Sequence, residues 1–249
     1  MQDKQLTELK QELTWLKEID ATSLQNSLQE LDVAYKNFFR RVNQCSKPGF
    51  PRFKSKKNKH HSYKSKKVGE NITVMDKCIK LPKLGLVKCR VSKQIEGRVL
   101  SATVSQTPSG KYFVSVCCTD VKTKPIQPTG AAAGIDLGLH DFAVTSDEIT
   151  IPNPRHLAKS QRKLAKLQRQ LSKKSTGSSN RNKSRIKVAS QHERVVNQRQ
   201  DFLHKLSTQI IRDCDLICIE DLQVKNMVRN HKLAKSISDA GWSEFVRQL

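Results

Sequence analysis

The stretch Gly134-Ile135-Asp136-Leu137-Gly138 follows a run of alanines and sets one carboxylate at the end of a short apolar segment. A later stretch, Leu216-Ile217-Cys218-Ile219-Glu220-Asp221-Leu222, repeats this arrangement. A charged side chain that ends a buried strand is costly unless something compensates it, and a divalent cation compensates two carboxylates together. The two stretches therefore predict neighbouring strands of an α/β sheet, on which Asp136 and Glu220 share Mg²⁺ as catalytic ligands.

The charge of the chain indicates a polyanionic partner. Its 249 residues include 46 Lys and Arg against 23 Asp and Glu, which gives a net charge of +23. This charge exceeds what solubility requires, and it favours nucleic acid over an anionic membrane surface. Because 36% of the residues are apolar, the chain can also bury a core, which excludes a disordered polycation.

The sequence predicts neither a secretory leader nor a membrane span. No charged-then-apolar leader begins at Met1, and no apolar run approaches the roughly 20 residues that a spanning helix needs. We therefore expect an intracellular protein without a membrane partner. The seven cysteines form no CxxC pair, so we expect no zinc site and predict reduced, mostly buried thiols.

The N-terminal region is predicted to be helical. Apolar residues recur every three or four positions from Leu6 to Val42, which favours a helical hairpin. The segment Asp20-Ala21-Thr22-Ser23 interrupts this pattern and offers an N-cap for the second helix.

A strongly basic segment follows, with eight Lys or Arg among residues 52–67 and aromatic side chains between them. Aromatic rings allow bases to stack while cations hold phosphates, which favours a contact with nucleic acid. A flexible basic loop is the alternative for the same composition. The candidate contact residues are Arg52, Phe53, Lys54, Lys56, Lys57, Lys59, Lys64, Lys66 and Lys67.

From Asn71 to Thr119, polar and apolar residues alternate with the period of β-strands. Turns at 82–85 and 107–110 predict antiparallel hairpins that build a small, barrel-like β module. A polar linker with two prolines at 122–130 then predicts a domain boundary. The residues expected to pair across the second turn are Leu100, Ala102 and Val104 with Tyr112, Val114 and Val116.

Two long helices are predicted next, one from about Leu157 to Leu171 and one with an apolar face from Val195 to Ile210. A polar loop at 175–180 would join them as an antiparallel pair. Thirteen Lys or Arg and one acid lie from Lys159 to Arg199, whereas an ordinary coiled coil mixes signs, so phosphate contact is favoured. The candidate contacts are Arg162, Lys163, Lys166, Arg169, Lys173, Lys174, Arg181, Lys183, Arg185 and Lys187.

The carboxylate stretches leave alternatives open. The apolar run before Glu220 predicts an internal strand covered on both faces, but an acid at this place is also commonly a helix cap or a surface turn. Asp221 is the better capping candidate. The glycines around Asp136 would let a metal or phosphate approach the backbone. The same pentapeptide also fits the first strand of the actin-like and sugar-kinase ATPases, although further phosphate loops are not found in this sequence.

Five blocks stand out together in the sequence. They begin with Gly49-Phe50-Pro51-Arg52-Phe53-Lys54 and continue at 134–144, 197–207, 219–222 and 230–242. Taken together, these blocks resemble the TnpB/OrfB family of transposon-encoded proteins, and 134–144 resembles the first RuvC motif of that family. By position, Asp136 and Glu220 match the first and second RuvC acids.

The resemblance implies an α+β and α/β protein with a helical recognition segment (1–46), a basic loop and wedge-like β-barrel (47–124), and a RuvC domain of RNase H fold (130–249). Family members are RNA-guided DNA endonucleases of insertion sequences, commonly called transposases, and they cut with Mg²⁺. The implied partners are DNA and a transposon-derived guide RNA, with a partner transposase in the mobile element. The implied location is the bacterial or archaeal cytoplasm, where the protein would act on DNA in the nucleoid.

Two parts of the family pattern have no counterpart in this sequence, so the chain resembles the central part of a member. These parts are the first barrel strand with a helix-turn-helix-like segment, and the zinc ribbon with the third RuvC acid. Because losing one ligand of a coupled two-metal site costs orders of magnitude in rate, we expect little or no nuclease activity from this chain. The alternative function is a noncatalytic nucleic-acid-binding remnant.

Overall fold

The computed structural model describes residues 2–44, 46, 47, 49–53, 61–122 and 125–249 as a mixture of α-helices and small β-sheets. This mixture confirms the coarse prediction of a protein with both α and β structure. Contacts between Cα atoms divide the chain into two compact units, Met1–Thr123 and Lys124–Leu249.

The first unit begins with helices α1 (Gln2–Glu12) and α2 (Ala21–Asn43), and a 3₁₀ helix at Thr14–Glu18 lies between them. As predicted, Asp20 caps α2, because its Oδ2 accepts the backbone N–H of Ser23 at 3.0 Å. The main packing partner of α2 within the described residues is a β-strand rather than α1. The two predicted helices are therefore present, but the contact that holds α2 is with the β module.

Six strands in the described part of the first unit form two three-stranded antiparallel sheets, with strand orders β1-β5-β6 and β2-β3-β4. The strands are β1 (His61–Lys66), β2 (Thr73–Val74), β3 (Cys78–Leu81), β4 (Gly85–Lys88), β5 (Arg98–Gln106) and β6 (Tyr112–Thr119). Both sheets contribute to one apolar core, which is built around Ile72, Ile79, Leu81 and Ala102.

The predicted barrel is not closed in the residues that the structure describes, since no ladder of backbone hydrogen bonds joins the two sheets there. Alternating polarity predicts which side chains face a core, but it does not determine whether the outer strands pair. The predicted hairpin of β5 and β6 is formed, with Ala102 opposite Val116. An irregularity in β5 removes Leu100 from the ladder, and Tyr112 pairs with Gln106 instead.

Residues 61–66 form a strand that the sequence analysis did not predict. β1 runs antiparallel to β5, from His61 opposite Gln106 to Lys66 opposite Ser101. Only Ser65 is buried in this strand, so the sequence carries no apolar alternation to indicate it. The described part of the basic segment is therefore a sheet edge in its second half, and not a flexible loop.

The second unit contains a four-stranded mixed sheet in the order β10-β7-β8-β9. β10 is parallel to β7, whereas β7, β8 and β9 are antiparallel neighbours. After Asp136 the chain turns and returns at once as β8, which forms a hairpin with β7. The strands are β7 (Ala132–Leu137), β8 (Asp141–Thr145), β9 (Thr150–Pro152) and β10 (Leu216–Ile219).

Helices cover one face of this sheet. The long helices α3 (His156–Ser172) and α4 (Ser179–Asp213) pack along each other, as predicted, and a loop at 173–178 joins them. The short helices are α5 (Val224–Met227), α6 (Ala234–Ala240) and α7 (Trp242–Gln248). The buried core between sheet and helices consists of Ile135, Leu137, Phe142, Ala143, Leu203, Leu206, Ile210, Ile237, Ala240, Trp242 and Phe245.

The prediction that the strand before Glu220 is internal and covered on both faces is wrong for the residues described here. β10 is the outer strand of the sheet, and Leu216 is 60% exposed. Ile217 and Ile219 pack towards the core, whereas Cys218 faces the opposite, exposed side. A run of four apolar residues shows that one face can be buried, but it does not show what covers the other.

The cysteines are free in the described residues, but they are less buried than predicted. Cys117 and Cys218 are exposed, and Cys78, Cys89, Cys118 and Cys214 are half-buried. Cys45 lies outside the described residues. Because short strands place alternate side chains on an open face, a small apolar residue there need not enter a core.

The start of α3 is held by a side chain from α6. Arg155 precedes α3 in a left-handed conformation, with φ of 50°, and gives no side-chain cap. Instead, the carboxylate of Asp239 accepts the backbone N–H of Leu157 at 3.0 Å and that of Ala158 at 3.3 Å. This contact connects the basic helical pair to the core of the second unit.

Asp239→Ala is expected to lower the free energy of unfolding by about 1–2 kcal/mol, because the first turn of α3 loses the acceptor for two N–H groups. Asp239→Asn should lose less, since an amide oxygen still accepts. Urea unfolding measures both, with Asp147→Ala in an exposed turn as the matched control. Stability equal to that of the unchanged chain in both Asp239 variants would contradict the capping role.

Asp20 is expected to make the stability of the first unit depend on pH. Burial raises the pKa of Asp20, but hydrogen bonds from Ser65, Thr22 and Ser23 outweigh it and lower the pKa below its ordinary value of 3.8. Because the pKa is lower in the folded state, this contribution is present above pH 3.8 and is lost as pH falls through the folded pKa. Acid unfolding of Asp20→Asn, followed by circular dichroism, should show a smaller loss of stability in that range than the unchanged chain.

Candidate active site and nucleic-acid surfaces

The parallel register brings the two predicted acids to neighbouring positions. Ile219 of β10 lies opposite Ile135 of β7, so Glu220 and Asp136 each follow the same rung of the ladder. Adjacent strands are about 4.8 Å apart, and side chains at matched positions of parallel strands share a face. Asp136 and Glu220 are both exposed, on the face of the sheet opposite the apolar core.

Nothing in the described residues neutralises these two carboxylates, because the side chains of Asp136 and Glu220 make no hydrogen bond or ion pair there. Two open carboxylates suit Mg²⁺, which takes one or two of them and fills its other positions with water or substrate phosphates. Within the described part of the chain, however, no group of three His, Cys, Asp or Glu could hold a metal ion. The donors fit a weak, water-rich magnesium site.

The two glycines around Asp136 have different reasons to be there. A Cβ on Gly138 would lie 2.8 Å from the backbone oxygen of Asp141, so the turn into β8 itself requires a glycine. A Cβ on Gly134 would meet only Ser146, at 3.7 Å. Gly134 lies two residues before Asp136 on the same face of β7. Because it has no side chain, it leaves the surface beside the Asp136 carboxylate open to a ligand. Only Gly134 suits the predicted close approach of a ligand.

The capping alternative for the second acidic stretch is not supported. The residue that precedes α5 is Gln223, and it makes no side-chain cap. Asp221, the predicted cap, is exposed and two residues too early. The backbone oxygen of Glu220 accepts the N–H of Leu222 at 3.0 Å, so the chain turns sharply after β10, and the Glu220 side chain is exposed.

The helical pair carries most of the predicted phosphate contacts. Eight of them are on the exposed surface of α3, of α4 and of the loop between these helices. Arg185 is half-buried and has an interaction partner. The eight exposed residues are Arg162, Lys163, Lys166, Arg169, Lys173, Lys174, Lys183 and Lys187.

Arg181 has a structural role that the sequence analysis missed. Its Nη1 donates to the backbone oxygen of Lys174 at 2.8 Å and to that of Leu171 at 3.3 Å. These oxygens lie in the last turn of α3 and just beyond it, where carbonyl groups lack partners within the helix. Arg181 therefore closes the connection between α3 and α4, and its guanidinium is less available to a phosphate than the neighbouring lysines.

A polar recess of about 270 Å³ between α3 and α4 adds cations that were not among the predicted contacts. Lys159 and Arg194 line it together with Lys163, and His156 lies at one end. Burial lowers the pKa of His156 below its ordinary value of 6.5, against the opposing charge of Asp239. Lys159 and Arg194 come together only in the folded pair, because they lie on different helices.

The basic segment of the first unit is described only in part. Lys54, Lys56, Lys57 and Lys59 lie outside the described residues. Arg52 is exposed, Phe53 is 97% exposed, and Lys64 and Lys66 extend from the open side of β1. Lys66 donates to the side-chain oxygen of Gln29 at 2.9 Å, which joins β1 to α2, and Lys67 is half-buried.

Among the residues that the structure describes, no helix has both the length and the apolar character to cross a membrane.

Comparison with known proteins identifies the relatives of this chain. Residues 115–231 match the family model OrfB_IS605, whose description is "Probable transposase". This match includes β7, Asp136, the helical pair and Glu220. It supports the transposon family rather than the ATPase alternative.

Two curated relatives align with almost the whole chain. A protein of Streptomyces pristinaespiralis named "Putative RNA-guided DNA endonuclease" is 39% identical over 249 residues, covering 98% of this chain and 60% of its own length. A protein of Escherichia coli K12 named "Putative RNA-guided DNA endonuclease InsQ" is 36% identical over 253 residues, covering 96% and 61%. The chain thus spans about three fifths of the length of these relatives, and it belongs to the TnpB/OrfB family of insertion-sequence proteins.

Proposed function

We propose that this chain is the nucleic-acid-binding part of an RNA-guided DNA endonuclease of an insertion sequence, with an incomplete carboxylate site. The observation that carries the proposal is the pairing of β10 with β7, which sets Asp136 and Glu220 at neighbouring positions on one open sheet face. The names of the two relatives support DNA as the substrate and RNA as the guide. The second unit, with its mixed sheet and inserted helical pair, is then the incomplete RuvC domain of RNase H type.

Asp136 and Glu220 would be the protein ligands of Mg²⁺ in this site. Held by these two residues, Mg²⁺ would supply activation of a water molecule and stabilisation of the leaving oxygen of a phosphodiester. The fold would fix the position of both carboxylates, since Asp136 lies in β7 and Glu220 follows β10, and the other face of both strands packs in the core. Gly134 leaves room beside them for the sugar-phosphate backbone of the substrate.

The exposed cations of the helical pair would hold the backbone of the guide RNA or the DNA. A surface that carries only positive charge attracts a nucleic acid and displaces the counterions bound to its phosphates. Such a surface supplies affinity but does not recognise the base sequence. The recess with Lys159, Lys163 and Arg194 offers three cations around one small volume, which suits a phosphate group.

A second candidate function is a noncatalytic nucleic-acid-binding protein. The observation that favours it is that the two carboxylates have no third metal-binding partner within the described residues. In this function Asp136 and Glu220 would contribute nothing to chemistry, while the basic surfaces would act as proposed.

Cleavage tests the catalytic part of the proposal. We expect the chain, with Mg²⁺, guide RNA and matched plasmid, to cut at most weakly, because loss of a ligand in a two-metal site costs orders of magnitude in rate. Efficient cutting that vanishes in Asp136→Ala would contradict the expected impairment. Asp221→Ala is the matched control, because it removes a neighbouring exposed acid that is not a proposed ligand.

Metal binding separates the two functions without relying on activity. Mn²⁺ stands in for Mg²⁺, and electron paramagnetic resonance counts the free ion as the chain is added. We expect weak binding that Asp136→Asn and Glu220→Gln each abolish and that Asp221→Asn leaves unchanged. Binding that is the same in all variants would favour the noncatalytic protein.

The helical pair is tested through the salt dependence of RNA binding. We expect the affinity for a single-stranded RNA to fall steeply with salt, and Lys183→Gln with Lys187→Gln to reduce the slope by about 0.7 per lost phosphate contact. Arg181→Gln should instead lower the melting temperature, because the end of α3 loses its donor. An affinity that does not respond to salt would contradict the proposed phosphate contacts.

A further inference from the structure

Four aromatic rings meet at the C-terminal half of α2, and we name Tyr35, Phe38, Phe39 and Phe50 the aromatic cluster. The ring of Phe50 meets Phe38 edge-on at 5.3 Å between centroids, and it meets Tyr35 edge-on at 5.8 Å. Phe39 lies 5.3 Å from Phe38 and stacks at 6.5 Å on Tyr35. These contacts fix the rings relative to one another, although they lie on the surface of the first unit.

The cluster is not a small buried core. Phe39 is 58% exposed and Phe50 is 64% exposed, so both present much of their ring to solvent. Phe53 follows close behind Phe50 and is almost fully exposed. Exposed aromatic rings in contact with one another are uncommon on a surface that has no partner, because their apolar area costs free energy in water.

The stretch of sequence that carries the cluster has only positive charges after Asp32. No Asp or Glu occurs in the sequence between Asp32 and Glu70. Arg40 and Arg41 follow Phe39 on α2, and a Cβ on Gly49 would be 3.9 Å from Nη1 of Arg41. The guanidinium of Arg41 thus lies beside the backbone that leads to Phe50, and Arg52 follows two residues later.

We propose that the aromatic cluster stacks unpaired bases of a single-stranded nucleic acid, while Arg40, Arg41 and Arg52 hold the adjacent phosphates. This inference rests on the nucleic-acid binding in the proposed function, but not on any cleavage. Every base has a π-face, so the site would accept different bases, and the surrounding cations complement the charge of the strand. The rings already contact each other, which reduces the ordering that binding must impose.

The cluster favours unpaired bases over two other polyanionic surfaces. In a duplex the faces of the bases are stacked on one another, so a duplex could bind the arginines through its phosphates but could not stack on the rings. An anionic membrane binds the apolar face of a single amphipathic helix that lies in its interface, whereas the most exposed rings here are divided between α2 and the segment 49–53.

The experiment uses the whole chain and measures its affinity, by fluorescence anisotropy, for labelled oligothymidine, oligouridine and a DNA duplex. Phe39→Leu and Phe50→Leu keep an apolar side chain and remove the ring. Phe113→Leu is the matched control, because Phe113 is 49% exposed on β6 of the same unit. Phe39→Trp keeps a stacking ring and adds a fluorescent reporter.

We expect Phe39→Leu and Phe50→Leu each to weaken single-strand binding about fivefold or more, within the range known for base stacking. The slope against salt should stay the same, since no phosphate contact is lost. Duplex affinity and the Phe113→Leu variant should be unaffected. Phe39→Trp should retain affinity, and oligothymidine should quench its fluorescence. The comparison of oligothymidine with oligouridine tells whether DNA or RNA is the better ligand.

Equal loss in Phe113→Leu, or unchanged affinity in both cluster variants, would overturn the inference. So would an absence of quenching in Phe39→Trp, which remains informative even where a leucine variant unfolds. If the cluster variants lost binding to phosphatidylserine vesicles and kept binding to oligonucleotides, the surface would be a membrane contact. A chain that binds no oligonucleotide at all would refute the proposed function itself, whereas salt-sensitive binding that ignores the rings would refute only this inference.

Discussion

The parallel pairing of β10 with β7 is the constraint on which the second unit depends. Parallel neighbours cannot be joined by a tight turn, so the chain must leave the sheet and return through a long crossover. The basic pair α3 and α4 is that crossover, which explains why a charged arm lies between the two acidic stretches in the sequence. A shift of one residue in this register would turn Glu220 towards the core, where an unpaired carboxylate is costly.

The core holds this register by packing on one face only. Phe142 meets Phe202 of α4 at 5.1 Å and Phe245 of α7 at 5.2 Å, in both cases edge-on. Sheet, long helix and C-terminal helix therefore meet at one ring. The acids stand on the opposite face, so the interactions that stabilise the sheet do not compete with a ligand for the carboxylates.

The sequence predicted those elements whose side chains divide clearly into apolar and polar faces. The β5 and β6 hairpin and the helical pair follow from such periods, and the stretches that end in Asp136 and Glu220 indicated neighbouring strands. β1 could not be predicted, because its ladder is a backbone interaction and its side chains are exposed. The role of Arg181 was hidden for a similar reason, since it depends on where the carbonyls of α3 end. The sharing of a metal by the two acids stays a prediction.

The helix α4 is long, and the rest of the second unit holds it mainly near its C-terminal half. Its 35 residues extend over about 52 Å, and only the C-terminal part enters the core. The helix is held near Arg199, whose Nη1 donates to the oxygen of Ser238 at 2.8 Å and whose Cδ would be 3.2 Å from a Cβ on Gly241. Beyond this contact the basic half of α4 packs along α3, so a tilt of this helical pair by about 5° would move Lys183 by about 2 Å. A side chain at position 241 would be strained at a φ of 79° and would press on the Arg199 side chain, so this glycine protects the contact that holds α4 to α6.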